Sequence, residues 1–348
     1  MTPQIRELLN AGMAIPACPL VLNGDRKFDE EKQRRLIRYY AAAGVGGLAI
    51  GVHTTQFAIR DPRHNLHGTV LEAAADELDH LDRTRETPFM RVGGICGPTE
   101  QAVKEAGIAK DLGFHAGLLS LGAMKDAAED EIVAHCRAVA DVIPVFGFYL
   151  QPSVGGCVLP YSFWRKFVEI ENLVAIKIAA FDRYQTIDVI RPLAEAGRDD
   201  VALYTGNDDN IVMDLLTPYR FDVNGKSVER RFVGGLLGHW AVWTSKSVEV
   251  LKRCRAIATV HEPVPQDLLR LANEVTDCNA VIFDAANGFR GCIPAIHEIL
   301  RRQGLIDFTG CLDPDEVMSP GQAEEIDRLY RAYPHLTDDS FVSDFLNG

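Results

Sequence analysis

The sequence has 348 residues, a formal net charge of −13 and an isoelectric point near 5.2. Nucleic acids and anionic membrane surfaces attract basic proteins, so this acidic balance argues against both as partners. No apolar stretch is long enough to span a bilayer, and the first residues lack the apolar centre of a signal peptide. The sequence therefore predicts a cytoplasmic protein.

Eight short apolar segments alternate with helical patterns between residue 13 and about residue 260. The predicted strands are 13–18, 45–52, 89–96, 114–120, 143–149, 173–179, 201–206 and 236–243. The predicted helices lie near 29–44, 68–85, 99–112, 126–140, 160–170, 184–197, 208–217 and 245–260. Eight strand–helix units in this order predict an α/β fold of the (β/α)8 TIM-barrel type, with a doubly wound open sheet as the alternative.

Two segments depart from this alternation. Residues 219–232, YRFDVNGKSVERRF, alternate on both sides of Asn224-Gly225, which predicts a β-hairpin inserted before the eighth strand. Connections from helix to strand emerge at the N-terminal end of a barrel, so we expect this hairpin to lie away from an active site. After residue 262 only helical patterns continue, which predicts a barrel at 1–262 and a C-terminal helical extension at 263–348.

Three sequence patterns that can mark metal or cofactor sites lack the context that such sites require. The eight cysteines include no Cys-x-x-Cys pair, a pattern typical of reduced, buried thiols. His64 and His67 have a metal-like spacing, but nothing adjacent supplies further ligands. Residues 44–49, GVGGLA, match a dinucleotide fingerprint as a string, yet they follow a helix and lead into a strand. We therefore expect no metal and no cofactor.

Lys177 interrupts the otherwise apolar stretch NLVAIKIAAF, residues 172–181, which has the composition of a strand buried on both faces. Burial disfavours the ammonium form and lowers the pKa of a lysine, leaving a neutral amine that can attack a carbonyl. The alternative is a lysine at a strand end whose amine reaches water. The stretch alone leaves both interpretations open.

Other strand ends carry groups suited to chemistry, and barrel enzymes place their sites at these C-terminal ends. His53, Thr54 and Thr55 follow the second strand, Tyr149 ends the fifth, and Gly206 follows the seventh in YTGNDD. Each has an ordinary structural explanation as well: a turn, half-buried packing, or a helix cap. Their joint placement at one barrel mouth favours a site.

These segments resemble the dihydrodipicolinate synthase and N-acetylneuraminate lyase family of class I aldolases. FYLQP resembles the Tyr-x-x-Pro that follows the fifth strand of the family, and NLVAIKIA resembles its lysine strand. Tyr149 and Lys177 also have the spacing typical of the family. VHTTQF resembles its carboxylate-binding loop and YTGND resembles its Ser-Gly-Asp-Asp turn, so the similarity extends from about residue 13 to residue 330.

The resemblance implies Schiff-base chemistry on pyruvate or another 2-oxo acid. Lys177 would form the imine, Tyr149 would shuttle protons, and Thr54, with Thr55, would bind the substrate carboxylate. His53 and Gly206 would complete the substrate site. The net reaction stays open between aldol cleavage, condensation and dehydration. A small-molecule substrate, no cofactor and a homotetramer or homodimer are expected.

The sequence also departs from the family. Val154 stands where the synthase branch has an arginine that binds a second carboxylate, and Ala123 and Met124 replace a pair of aromatic residues. These differences argue against dihydrodipicolinate synthase activity and favour a substrate with a neutral hydroxylated or aromatic tail. We expect four residues to line the pocket for that tail: His53, Phe57, His239 and Trp240.

Two functions from other classes remain as alternatives. One is a metal-dependent barrel lyase or hydrolase, whose ligands would come from His53, His64, His67, Asp208 and His239. The other is a non-catalytic protein that binds a 2-oxo acid, which the missing loop residues permit. Binding of a metal ion or trapping of an imine would distinguish them.

Overall fold

A closed barrel of parallel strands forms the body of the molecule in the computed structural model, which describes residues 1–260 and 263–348. The strands are β1 Ala14–Pro16, β2 Gly47–Ile50, β3 Met90–Ile95, β4 Ala116–Leu119, β5 Val145–Leu150, β6 Leu173–Ala179, β7 Ala202–Thr205, β8 Tyr219–Val223, β9 Lys226–Arg230 and β10 Phe232–Leu237. Eight of them pair in parallel in the order β1, β10, β7, β6, β5, β4, β3, β2.

The barrel closes between β1 and β2. A parallel bridge joins Ala17 to Ala49, and the Cys18 amide donates to the Ala49 carbonyl at 2.9 Å. The prediction of a (β/α)8 barrel is therefore confirmed against the open-sheet alternative.

Helices surround the barrel and continue beyond it. They are α1 Pro3–Ala11, α2 Glu30–Ala42, α3 His67–Asp82, α4 Thr99–Asp111, α5 Glu129–Ala140, α6 Tyr161–Phe167, α7 Arg183–Glu195, α8 Ile211–Leu216, α9 Thr244–Val260, α10 Gln266–Ile282, α11 Cys292–Arg302, α12 Gln322–Ala332 and α13 Asp339–Asn347. Local chemistry sets their ends: Asp29 caps α2 by accepting a hydrogen bond from the Lys32 amide, as the sequence predicts.

Strand alternation divides the core into two apolar clusters. One fills the barrel interior and includes Phe146, Phe148 and Tyr204, while the other lies between the sheet and the surrounding helices. Helix α1, which the sequence analysis did not predict, belongs to the interior cluster through Ile5 and Leu9. The Tyr204 hydroxyl donates to the Leu9 carbonyl at 2.8 Å, so α1 closes one end of the barrel.

The eighth barrel strand lies earlier than predicted. It is β10, Phe232–Leu237, whereas the prediction was 236–243. Residues 239–241 form a short 3-10 turn. Trp240 within this turn and Trp243 just after it are both buried. The apolar run reflected burial of this turn, because a fully buried segment has no periodicity that separates strand from helix.

The hairpin prediction is confirmed. Strands β8 and β9 pair antiparallel, and Asn224 and Gly225 at the turn have φ of 53° and 77°. Arg230 at the hairpin base donates to the Val201 carbonyl and pairs with Asp199, both just before β7. The hairpin thus lies at the N-terminal end of β7, as expected from barrel geometry.

The C-terminal helices α10 to α13 form the predicted extension, and part of it lies over the C-terminal end of β7. Asn279 on α10 donates to the Asp208 carbonyl at 2.6 Å, and Thr276 donates to the Asp209 carbonyl. The predicted domain boundary at residue 262 lies outside the described residues. Among the described helices, none combines the length and apolarity needed to cross a membrane.

Candidate active site

A cavity opens at the C-terminal end of the barrel and holds about 530 Å³ of empty space, counting the solvent at its mouth. Strand ends supply most of its wall, and the C-terminal extension supplies its roof. The lining residues are Ala17, Val52, His53, Thr54, Phe148, Leu150, Val154, Lys177, Ala179, Phe181, Gly206, Asp208, Gly238, Phe283, Phe289 and Cys292.

Lys177 projects from β6 into this cavity. In the β5–β6 register it pairs with Phe148, and its amine lies 4.5 Å from the centre of the Phe148 ring. Burial lowers the pKa of Lys177 to about 8, and the negative charge of Asp208 only partly opposes this effect. The neutral, nucleophilic form of the amine is therefore accessible near physiological pH.

Gly206 makes room for the lysine side chain. A Cβ atom at this position would lie 2.5 Å from Lys177 Cε and 3.0 Å from the Ala179 Cβ. The Gly206 amide donates to the Ile178 carbonyl at 2.7 Å, which fixes the end of β7 against β6. Glycine is required here by close approach of the lysine stem.

Asn207 ties the strand ends around the lysine together. Its amide side chain donates to the buried Asp214 carboxylate at 2.9 Å, and its side-chain oxygen accepts from the Phe181 amide at 3.0 Å. This position joins the end of β6 to the end of β7. The explanation of Asn207 as a simple helix cap does not describe these contacts.

Asp208 lies beside Lys177 on the cavity wall. Its side chain is buried, and Oδ1 has no hydrogen-bond partner among the described residues. Burial raises the pKa of Asp208 to about 7, although the positive charge of Lys177 opposes the shift. The cavity therefore holds an amine and a carboxyl group that both titrate near neutral pH.

The loop after β2 contributes His53 and Thr54 to the cavity but not Thr55. The Thr54 hydroxyl donates to the Ala17 carbonyl at 2.8 Å. Thr55 donates to the Cys18 carbonyl and accepts from the Gly51 amide, so it holds the loop against β1. Burial, followed by the charge of Lys177, lowers the pKa of His53 to about 4, which keeps this imidazole neutral.

Tyr149 does not face the cavity. It pairs with Ile178 in the strand register and therefore points to the outer side of the sheet. There its ring packs on Trp164, with ring centres 5.6 Å apart. Its hydroxyl donates to Gln185 on α7 at 2.6 Å. The sequence assigned Tyr149 to proton transfer at Lys177. In the structure Phe148, the residue before Tyr149, takes the position that faces the cavity, because successive residues of a strand point to opposite faces.

The far wall of the cavity is apolar, but its residues differ from those predicted. Val154 does line it, whereas Phe57, His239 and Trp240 do not. Phe181 and Phe289 take their place, with ring centres 5.7 Å apart. The sequence analysis missed both residues; only the position of Phe181 directly after the lysine strand offered a signal.

A second cavity of about 380 Å³ adjoins the first. The two share Phe181, Asp208, Phe283 and Phe289, so these residues stand at the junction. The second compartment continues over α10 past Ala280. The combined space extends from Lys177 into the C-terminal extension.

The candidate metal ligands do not converge. His67 lies 3.9 Å from Glu105, which is already paired with Arg60, and His239 lines a separate small cavity. Among the described residues, no group of three or more histidine, cysteine or acidic side chains is arranged to hold a metal ion. All eight cysteines are free thiols.

Comparison with known proteins supports the resemblance noted in the sequence. The chain is 26% identical over 205 residues to the N-acetylneuraminate lyase of Citrobacter koseri, covering 58% of this chain and 64% of that enzyme. The chain thus matches less than two thirds of the length of this curated relative.

Solved structures share the fold over nearly the whole chain. A dihydrodipicolinate synthase from Oceanobacillus iheyensis superposes with a TM-score of 0.73 at 15% identity, covering 95% of this chain and 99% of that chain. A prophage protein of the dihydrodipicolinic acid synthase family from E. coli K12, solved in complex with pyruvate, gives 0.71 at 17% identity, with 93% and 97% covered. The family model of the Dihydrodipicolinate synthetase family matches residues 12–218. Since this match spans the barrel strands through β7 and includes the lysine strand, the chain belongs to the dihydrodipicolinate synthetase family.

Proposed function

We propose that this protein is a Schiff-base-forming lyase or aldolase that acts on a 2-oxo acid. The observation that carries this proposal is the buried amine of Lys177, whose pKa is lowered to about 8 inside the cavity at the barrel mouth. Family membership and the lyase relative support the same class of reaction.

The chemistry begins with attack of the neutral Lys177 amine on the keto carbon of the substrate. A nitrogen–carbon bond forms, the carbonyl oxygen gains a proton, and the resulting hydroxyl leaves as water to give an imine. The protonated imine then accepts the electron pair of an adjacent bond. In aldol cleavage the carbon–carbon bond breaks and leaves an enamine on Lys177, which is protonated to an imine and hydrolysed to release the product. In dehydration a carbon-bound proton next to the imine is lost to give the enamine, which then expels the neighbouring hydroxyl group as water and leaves a conjugated imine for hydrolysis.

The substrate carboxylate is assigned to the loop after β2. Thr54 lines the cavity, and its hydroxyl can exchange the Ala17 carbonyl for a carboxylate oxygen by rotating about one bond. Thr55 keeps a supporting role because its hydroxyl already bonds three backbone groups: Gly51, Val52 and Cys18.

The tail of the substrate is neutral and aromatic in this proposal. Val154, Phe181, Phe283 and Phe289 line the far wall, where a second carboxylate would be buried without a cation. Arg60 does not replace the missing arginine, because it is buried against Glu105 and two backbone carbonyls. These residues favour cleavage or dehydration of an aromatic 2-oxo acid over condensation with an anionic aldehyde.

Reductive trapping tests the proposed function. Incubation with pyruvate and borohydride should add the mass of a reduced pyruvyl group to the peptide that contains Lys177, and Lys177→Ala should abolish the addition. Undiminished trapping in Lys177→Ala would overturn the assignment of the nucleophile. A protein that binds pyruvate without any trapping would instead be the non-catalytic alternative.

A panel of 2-oxo acids tests the tail. The members are matched in size and differ in the charge at the distal end. Those with a neutral aromatic tail should give the highest kcat/KM. Val154→Arg should raise kcat/KM for the anionic members by about tenfold, because a guanidinium can form two charged hydrogen bonds to a carboxylate. An anionic preference in the unmodified protein would contradict the proposal for the tail.

A further inference from the structure

We propose that Asp208 is the acid–base group that moves protons at the Lys177 site, in place of Tyr149. This inference rests on the proposed function and adds a catalytic residue to it. It follows from where the carboxyl group lies, from its unused oxygen and from the orientation of the tyrosine.

Asp208 stands between the lysine and the tail compartment. It lines the cavity that holds Lys177 and also the adjoining cavity formed by Phe181, Phe289 and α10. In a 2-oxo acid bound to Lys177, the bond that breaks lies between the imine carbon and the tail. A group at the junction of the two cavities therefore faces the reacting atoms.

The carboxyl group is held in place and still has a free oxygen. The His239 backbone amide donates to the carboxyl group, and the backbone carbonyl of Asp208 accepts from the Asn279 side chain at 2.6 Å. Its Oδ1 atom is buried and has no partner among the described residues. An unpartnered buried oxygen is costly, and a hydroxyl or imine proton of the substrate would satisfy it.

The charges around Asp208 allow it to act in both directions. Lys177 favours its ionised form, Asp209 opposes it, and burial raises the pKa of Asp208 to about 7. His53 and His239 stay neutral because burial lowers the pKa of each to about 4. An acid–base group works best when its pKa lies near the working pH.

The proton steps balance with this single carboxyl group. The acid form gives its proton to the departing hydroxyl of the first adduct, so water leaves and the imine forms. The resulting carboxylate takes the proton of the tail hydroxyl as the carbon–carbon bond breaks, releasing an aldehyde and leaving the enamine. Asp208 then returns this proton to the enamine carbon. Water attacks the resulting imine and gives a proton to the carboxylate, so hydrolysis frees pyruvate and restores the acid form of Asp208.

Tyr149 is not positioned for these steps. Its hydroxyl lies on the outer side of β5, where it donates to Gln185 and accepts from the Leu159 amide. Tyr149 is therefore a suitable control, because its hydroxyl is removed in Tyr149→Phe without touching the cavity.

Exchange of the pyruvate methyl protons in D₂O isolates the proton step. Wild-type protein should catalyse exchange seen by NMR, while Asp208→Asn should lose about a hundredfold or more of the exchange rate. Borohydride should still trap Asp208→Asn on Lys177 to the same final extent, although more slowly, because Asp208 also supplies the proton for imine formation. Asp208→Glu should recover part of the exchange, and Tyr149→Phe should stay within about threefold of wild type. Thermal unfolding of each variant checks that it is folded.

The outcomes separate the two proposals. Trapping without loss of exchange in Asp208→Asn, or a hundredfold loss in Tyr149→Phe, would overturn the role of Asp208 while leaving the Schiff base intact. Trapping without exchange in the wild-type protein would also overturn it. Absence of trapping in the wild-type protein would instead reject the proposed function, and this inference with it.

Discussion

The two ends of the barrel are built on opposite principles. At the N-terminal end, α1 inserts Ile5 and Leu9 into the interior cluster, and Tyr204 satisfies its hydroxyl on the Leu9 carbonyl. At the C-terminal end, Lys177 and Asp208 are buried against aromatic rings, and Asp208 Oδ1 has no hydrogen-bond partner within residues 1–260 and 263–348. The first end stabilises the fold, whereas the second keeps polar groups in an environment that disfavours their charged forms.

Backbone conformation shows the same difference. Phe181 and Phe289, which line the cavity, have φ of 53° and 69°, values that bulky residues rarely adopt. Such a conformation costs about 1–3 kcal/mol per residue and persists only where the surrounding structure enforces it. Asn207 supplies part of that enforcement by accepting a hydrogen bond from the Phe181 amide. The end that holds the cavity is maintained at a cost in stability that the closed end helps to offset.

Among substitutions that leave Lys177 and Asp208 in place, the largest effect is expected from Gly206→Ala at the C-terminal end. The new methyl group would lie 2.5 Å from Lys177 Cε, so the amine must move. Moving a reacting atom by about 1 Å can lower the rate of reaction about a hundredfold, so the rate of trapping with pyruvate should fall by about that factor.

Gly107→Ala is the matched control for that substitution. Gly107 lies within α4, where an added Cβ meets no atom within 4 Å. Alanine there should stabilise the protein by about 1 kcal/mol and leave trapping unchanged. Equal trapping rates in the two variants would mean that Gly206 does not set the position of the amine.

The pH dependence of trapping is the second prediction. Because the pKa of Lys177 is lowered to about 8, the neutral amine fraction should rise about tenfold per pH unit below pH 8 and level off above it. The Asp208 carboxylate raises the pKa of Lys177, so Asp208→Asn should move the midpoint to lower pH. A midpoint above pH 10 would show that the lysine is solvated.

Leu9→Ala should have a large effect on stability and none on chemistry. Leu9 on α1 is fully buried where this helix closes the barrel, so removal of its side chain should cost about 2–5 kcal/mol in the free energy of unfolding. Trapping per folded molecule should stay the same because the change lies at the closed end. Leu269→Ala, at a position 41% exposed, should change stability by less than about 0.5 kcal/mol in the same denaturation series.

Much of the fold follows from local sequence patterns. The hairpin at Asn224-Gly225 and the helix that begins after Asp29 each have a turn or cap residue whose geometry is fixed locally. The eighth strand was misplaced because its apolar run continues into a buried turn containing Trp240. Helix α1 was missed although Thr2 and Pro3 form a good start signal.

The site was predictable only in part. Lys177 and Gly206 both line the cavity and are recognisable in the sequence. Each stands out within its own short segment, the lysine in an apolar strand and the glycine at the end of the next strand. The direction of Tyr149 depends on strand register, and a one-residue change in register reverses which face a side chain occupies. Phe283 and Phe289 come from a distant extension whose docking no local pattern reveals.

The smallest effect on the site is expected from shortening the hairpin. Deleting residues 222–227 and joining Phe221 to Val228 through Asn-Gly closes the two-residue turn with a cross-strand pair of the same kind as Val223 and Lys226. It also keeps the Tyr219 hydrogen bond to Asp214 and the Arg230 ion pair with Asp199.

Trapping in the shortened variant should remain within about twofold of wild type, because both contacts of the hairpin base are kept: Arg230 with Val201 before β7, and Tyr219 with Asp214. Solubility or the oligomeric state measured by light scattering should change instead, since the hairpin presents a paired ribbon outside the barrel. Loss of trapping in a variant that still unfolds cooperatively would mean that the hairpin completes the site of a neighbouring subunit. The separation between a stabilising end and a cavity end would then hold within one chain but not within the assembly.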